Sequence, residues 1–440
     1  MHCVRHNSRF LARLCAIAAA VCVLAGGASH AQAPSDDLSL PWMQLGGEFR
    51  ERVEGFHGAG FTEGRDDVYF LSRLRLDATL APGRRVTARL QVQDARVARK
   101  AVGSTGLPFR APLDLRMAFV DIGLARDAVA VRLGRQELAY GDQRLVGHVS
   151  WLNSARTFDG ARATFRADGA SLDVFAVSVV RHRPDGFDTS GGGSLFSGAH
   201  FTTTRLVREA SIEPYAYWRR EPDVATETGG TGNMRLVTVG VRWTGGLRGG
   251  WTYGLEAAVQ AGRVGADAID ASAGHVVVRT PVVGRLGLGV EAEYNHATGD
   301  ANPTDGARET FDQLFPTSHE KYGLADQVGW RNVHHLRLGA RASPWRAVTL
   351  MASYHTWWLD ETADALYSAG GAPLARKAAA TGSGHVGHEL DVQAAYPLMA
   401  RLRVSAGYAH LFPGAFLREA TPGASYRAPY LMATYVFPGE

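Results

Sequence analysis

One short polar stretch carries the densest chemistry in the chain. Between Gly134 and Gly160 stand Arg135, Gln136, Glu137, Tyr140, Asp142, Gln143, Arg144, Trp151, Asn153, Arg156 and Asp159. Guanidinium is always charged and presents a planar fork of donors that matches a carboxylate. Arg135, Arg144 and Arg156 bring three such forks to this stretch. Asp142 and Asp159 can hold arginines by charge-assisted hydrogen bonds. The same residues thus also read as an internal salt-bridge lattice that fixes a loop, and the two readings are compatible. Arg73, Arg75 and Arg89 add three more guanidiniums on nearby alternating segments. A row of such forks lets a polyanion exchange partners without being trapped, as conduction requires.

Catalysis has no comparable support. A hydrolase needs a nucleophile, a base and an orienting residue in defined roles, and no motif selects such a set among the 16 histidines. His385 and His388 are three apart, a spacing that shares a face on a helix but not on a regular strand. Asp300, Asn302 and Asp305 before Gly306 depart from the calcium-loop spacing. No phosphate-binding glycine loop or nucleic-acid signature is present, so no enzyme activity, metal, cofactor or nucleic-acid partner is expected.

The elements that position these residues alternate with period two, the mark of strands with two different faces. In 68–81, Phe70, Leu74, Leu76, Ala78 and Leu80 oppose Arg73, Arg75, Asp77 and Thr79. In 84–97, Val86, Ala88, Leu90 and Val92 oppose Thr87, Arg89, Gln91 and Gln93. The same pattern recurs over 283–296, 385–397 and 400–411. It places Arg162, Arg166, Arg242, Arg337, Arg401 and Arg403 on the polar face, with Glu256, Glu291, Glu293, Glu389 and Asp391. Arginine thus concentrates in the first half and acids in the second.

Connections decide the architecture. Tight turns such as Ala81-Pro82-Gly83-Arg84, Arg126-Asp127, Ala167-Asp168-Gly169, Thr280-Pro281 and Ser343-Pro344 alternate with long polar loops near 55–66, 98–112, 139–157, 183–198, 221–233, 297–330, 359–384 and 412–425. Short turns on one side and long loops on the other is the pattern of a bacterial outer-membrane barrel. Strand starts fall near 42, 68, 84, 113, 128, 158, 170, 199, 210, 234, 250, 267, 283, 331, 346, 385, 400 and 426. The expected fold is all-β: a porin-like transmembrane antiparallel barrel of about eighteen strands, with a water-filled interior. Its partners are outer-membrane lipid and, during biogenesis, the barrel assembly machinery. Trp42, Tyr69, Trp151, Trp243, Trp251, Trp330, Trp357, Tyr396 and Tyr430 fall near strand ends, where aromatic girdles sit. The last strand ends on Phe437, followed by Pro438-Gly439-Glu440.

The N-terminus reads as a targeting segment. Arg5, Arg9 and Arg13 precede the short apolar run Leu14–Ala25, and Ser29-His30-Ala31 offers a cleavage site after residue 31. The apolar run is too short to span a bilayer as a helix. Residues 1–31 are thus a signal peptide that carries the chain through the inner membrane, and 32–440 form a single barrel domain in the cell outer membrane. Cys3, Cys15 and Cys22 all lie in the signal, so the mature chain holds no disulfide and no thiol nucleophile. Losing three arginines from 47 basic residues leaves 44 against 43 acidic ones. Only Lys100, Lys321 and Lys377 are lysines.

On the Gly134–Gly160 block, Arg73-Leu74-Arg75, Gln93-Asp94-Ala95-Arg96, Thr298-Gly299-Asp300, Phe311–Thr317, Val386-Gly387 and Glu389-Leu390-Asp391, the chain resembles the alginate-export outer-membrane barrels of proteobacteria, over roughly 45–437. The resemblance implies an eighteen-stranded barrel with an electropositive constriction for a polyuronate. It puts Arg135, Arg144 and Arg156 foremost as candidates for that constriction, and alternation sets Arg73, Arg75 and Arg89 on nearby strands beside them. The expected function is passive transport of an anionic polysaccharide or its fragments. The alternative is a small-solute porin for organic acids or sugars.

Overall fold

The computed structural model describes residues 42–124, 128–183, 186–345, 347–378 and 382–437. The targeting segment, the three cysteines, the Arg126-Asp127 turn and the tail after Phe437 lie outside them.

Alternating sequence becomes a meander of long strands. The first nine are β1 (Met43–Phe56), β2 (Asp67–Leu80), β3 (Val86–Ala98), β4 (Ala111–Leu124), β5 (Val129–Gln136), β6 (Phe158–Ala167), β7 (Ala170–Val179), β8 (Leu195–Thr203) and β9 (Ala210–Ala225). The rest are β10 (Thr231–Gly246), β11 (Thr252–Val264), β12 (Asp267–Arg279), β13 (Gly289–Ala297), β14 (Val333–Ala342), β15 (Thr349–Trp358), β16 (His385–Met399), β17 (Leu402–Pro413) and β18 (Tyr426–Phe437). Each pairs antiparallel with the next, and β18 closes on β1 from Gly47↔Phe437 to Glu54↔Tyr430. Closure leaves no open edge, so every wall backbone group has a partner without water. The result is a closed antiparallel barrel of eighteen strands.

Neighbouring residues face different media. Exposed Leu76, Leu90, Val259 and Val392 stand beside buried Arg75, Gln91, Gln260 and Asp391. The first set meets lipid and the second faces the lumen, the reverse of a soluble core.

Three local features differ from the sequence expectation. β13 begins at Gly289, because Gly284 and Gly287 take positive φ and fold 283–288 into a small turn bridged Val283↔Leu288. The connection near 221–233 shrinks to 226–230, because β9 and β10 run 16 residues each. At Gly387 (φ +151) the ladder slips, and the His385 and His388 rings come within 4.6 Å despite their spacing. A bulge adds a residue and returns i and i+3 to one face.

The girdle expectation divides. Trp42, Trp243, Trp251 and Tyr396 are exposed near the short-turn rim, and Trp358 and Phe412 near the long-loop rim. Tyr69, Trp151, Trp330, Trp357 and Tyr430 turn inward instead. A strand-end position gives height in the wall but not face, and the long loops that fold inward offer these rings an apolar packing site.

Candidate functional site

The loop between β5 and β6, residues 137–157, leaves the wall and crosses the lumen. Its departure is marked by Gly134 and Gly160, which oppose each other across β5 and β6 with φ +120 and +154. A Cβ at Gly134 would collide with the Ala118 carbonyl, and one at Gly160 with that of Ala176. The wall can bend tightly there only without side chains.

At one end the loop is gripped through its carbonyls. Arg50 donates to the carbonyls of Ser150 (3.0 Å), Trp151 (3.1 Å) and Leu152 (3.3 Å). Arg73 donates to Ser150 (2.9 Å) and Leu152 (3.1 Å), and Arg52 to Trp151 (2.7 Å). The Arg52 guanidinium also lies 3.8 Å from the Trp151 ring centroid, and Gln93 donates to the Ser154 carbonyl at 3.0 Å.

At the other end the loop reaches the opposite wall. Asp142 pairs with Arg242 of β10 at 2.7 Å. Arg144 donates to Glu293 (2.8 Å) and Asn295 (3.2 Å) of β13 and to the Tyr322 hydroxyl (3.2 Å). In a ring of eighteen, β1 and β10 lie nine strands apart, so the loop spans the diameter. A second loop, 298–332, runs against it through Val146↔Phe315, with Gly147 N–H on the Phe315 carbonyl (2.8 Å) and Phe315 N–H on that of Leu145 (2.8 Å). Arg156 is sealed at this seam, donating to the carbonyls of Gly147 (3.0 Å) and Pro316 (3.1 Å).

The sequence candidates therefore separate. Arg73 and Arg75 are buried lumen residues of β2. Arg89 is lumen-side on β3, half exposed and paired with Asp77 at 2.9 Å. Arg144, Arg156 and Asp142 belong to the crossing loop. Arg135 grips Asp159 bidentately (2.8 and 3.0 Å) across β5 and β6. That pair shares the alternating face of exposed Leu133 and Phe165, so it lies on the outward side near the long-loop rim.

Arg50, Arg52 and Arg116 were missed, although Glu48, Arg50, Arg52 and Glu54 alternate in β1 and gave the signal. With Arg73 and Arg75 they form a five-guanidinium wall on β1, β2 and β4. Glu54 pairs with Arg52, Glu48 with Arg73 and Glu137 with Arg116. Arg50 and Arg75 have no carboxylate within ion-pair distance among the described residues. Arg75 Nε donates to Gln93 at 2.8 Å, while its buried Nη2 has no partner. The wall is net positive, and Nε of Arg50, Arg73 and Arg116 is likewise buried without a hydrogen-bond partner among the described residues.

Lys321, also missed, stands near Arg144 in the second loop and makes no ion pair among the described residues. Burial, then the Arg144 charge, pushes its amine down to about 8. In Arg144, burial opposes the charge but the Glu293 carboxylate outweighs it, holding the guanidinium above its ordinary range. Near the long-loop rim, a cavity of about 410 Å³ is lined by Arg219, Glu227, Asp300, Arg331, Asp364 and Arg376 among others.

Residues 41–430 match the protein family described as alginate export. No curated protein sequence matches the chain. Among solved structures it is similar to three barrels of Pseudomonas aeruginosa. OpdQ shares 12% identity with a TM-score of 0.61, covering 90% of this chain and 97% of that one. OpdO shares 14% at 0.60, covering 90% and 97%. OpdK, solved with vanillate, shares 15% at 0.60, covering 90% and 99%. At such identities the likeness speaks for the fold.

Proposed function

The chain belongs to the alginate-export family and is an outer-membrane channel, and from that premise we propose that it passes an anionic polysaccharide, an alginate-like polyuronate, or its fragments. The observation that carries this reading is the wall of Arg50, Arg52, Arg73, Arg75 and Arg116. Arg50, Arg52, Arg73 and Arg116 are tied to the crossing loop, and the five guanidiniums outnumber their carboxylates. The net positive charge of the row attracts a uronate carboxylate, which can pass along it because no single fork needs to hold it. Lys321, on the loop opposite, adds a positive charge below pH 8.

The second reading is a porin for small organic acids. A loop spanning the diameter narrows the lumen, and OpdK, a similar barrel, was solved with vanillate. Both readings share the basic wall and differ in ligand length. In planar-bilayer conductance, polyuronate oligomers should block the channel more strongly as they lengthen, and neutral oligosaccharides should not block it. Block by monomeric organic acids with no gain from chain length would favour the small-solute reading. Cation preference in the wild type would remove both.

In the same proposal, residues 1–31 are a signal peptide removed on export, and the barrel assembly machinery inserts residues 32–440 with the long loops outside.

A further inference from the structure

A separate cluster lies on the outward face at the long-loop end of β13 and β14. His296 and His334 are direct cross-strand partners, with ring centroids 4.6 Å apart. Both aim Nε2 at one oxygen of Asp360, at the root of the 359–384 loop. His296 Nε2 is 2.8 Å and His334 Nε2 3.0 Å from Asp360 Oδ1. The three ligand atoms lie within 4.8 Å of one another, and all three residues are partly exposed.

Their supports are built in. The Tyr294 hydroxyl lies 2.7 Å from His334 Nδ1. The second Asp360 oxygen accepts the Gly299 N–H at 2.9 Å. Trp330 Nε1 holds the His296 carbonyl at 2.9 Å. Asn332, fully buried, accepts the Glu361 N–H (2.7 Å) and donates to the carbonyls of Glu361 and Ala365 (3.0 Å each), clamping the loop root. Partners that orient both imidazole and carboxylate are what metal sites use to fix their ligands.

We propose that His296, His334 and Asp360 bind a zinc-type transition-metal dication, which ties the root of the 359–384 loop to the barrel wall. Two imidazoles and one carboxylate suit zinc, nickel or copper and not the hard calcium or magnesium ions of the outer leaflet. Ligands about 2.0–2.1 Å from a tetrahedral centre lie roughly 3.3 Å apart, close to the observed spacings. On binding, the metal displaces the Nε2 proton that each imidazole directs at Asp360. Each neutral ring then carries its proton on Nδ1, taken up from solvent, where the Tyr294 oxygen receives that of His334, and offers Nε2 to the metal. Open positions remain for water. The tied loop carries Asp364, Tyr367 and Arg376 of the rim cavity, so the ion steadies the channel mouth.

The test is calorimetric titration of the tag-free, detergent-purified full-length barrel with zinc chloride, each variant first checked for heat-modifiable folding on gels. One zinc per barrel is expected at micromolar affinity, with none of this binding for calcium. His334→Ala and Asp360→Asn should each weaken it at least about tenfold. His385→Ala with His388→Ala should leave it intact, and zinc should slow proteolysis within 359–384. Failure of the wild type to bind at millimolar zinc would overturn the proposal. So would unchanged binding in the His296→Ala, His334→Ala double variant, or loss of binding on removal of His385 and His388. Binding without loop protection would overturn the tie.

Discussion

Two arcs of the lumen wall hold their loops by opposite chemistry. On β1 and β2, guanidiniums donate to loop carbonyls: three arginines share those of Ser150, Trp151 and Leu152. On β16, carboxylates accept loop amides: Leu324 N–H meets Asp391 and Ala325 N–H meets Glu389, each at 3.0 Å. Asp391 continues to His355 (3.1 Å), His355 to His335 (2.9 Å), and His335 to Asn295 (3.0 Å), which meets Arg144. A peptide can be gripped by either of its poles, so both signs of side chain can anchor a loop. The signs remain where they are, and they leave a positive arc on β1, β2 and β4 and an arc of acids and histidines on β13 to β16. The grips also differ in redundancy. A carbonyl has two lone pairs and tolerates several donors, whereas each amide has one hydrogen and one acceptor.

The largest effect is expected where the crossing loop enters the second wall. Arg144→Ala takes from the buried Glu293 carboxylate its nearest cation and leaves it Arg337 at 3.5 Å and the Asn295 amide at 2.9 Å. The loss thus approaches that of a broken buried pair, about 3–5 kcal/mol. The midpoint of urea unfolding, followed by gel mobility, should fall accordingly. An unchanged midpoint would mean that the strut does not depend on this pair. Next comes the outer face: Leu76→Arg sets a charge against lipid at about 2–4 kcal/mol, whereas Arg75→Leu on the lumen side should still assemble. The reverse order would shift the register of β2 by one.

Redundancy predicts the third contrast. Asp391→Ala orphans the Leu324 amide at roughly 1–3 kcal/mol, whereas Arg50→Ala leaves each of its carbonyls served by Arg52 or Arg73 and should cost less. Equal unfolding midpoints would erase the distinction between the walls. In conductance, Arg75→Ala should lower anion preference at low salt, an effect that fades near 1 M as the Debye length falls to about 3 Å. An unchanged reversal potential would remove Arg75 from the path. The smallest effect is on pH. Lys321 sits at about 8, so its charge is present below that value and lost above it. Anion preference should decline as pH rises through 8 and stay flat in Lys321→Gln; a wild-type profile flat from pH 7 to 9 would take Lys321 out of the field.

The strands were legible because a wall with lipid on one side and a polar lumen on the other forces every second residue to the same medium. Leu76 beside Arg75 and Val392 beside Asp391 declare their faces with no knowledge of what surrounds them. Turn and loop parity then set the count. The acids of β16 and the arginines of β2 could be placed on the lumen for the same reason. Parity also puts Arg135 and Asp159 with Leu133 and Phe165, whereas their membership in a dense polar block suggested the pore.

What the sequence alone determined is which way the mid-strand residues point; what only the tertiary structure decided is what they meet there and which way the strand-end rings turn. Arg50 and Ser150 lie a hundred residues apart, and Asp142 and Arg242 equally so. Contacts across a lumen leave no periodic trace, because the loop that makes them follows no repeat and is held by side chains from strands nine places round the ring. The inward turn of Trp330 and Trp357 was hidden for the same reason: a ring at a strand end faces lipid or lumen according to whether a folded loop waits inside to receive it.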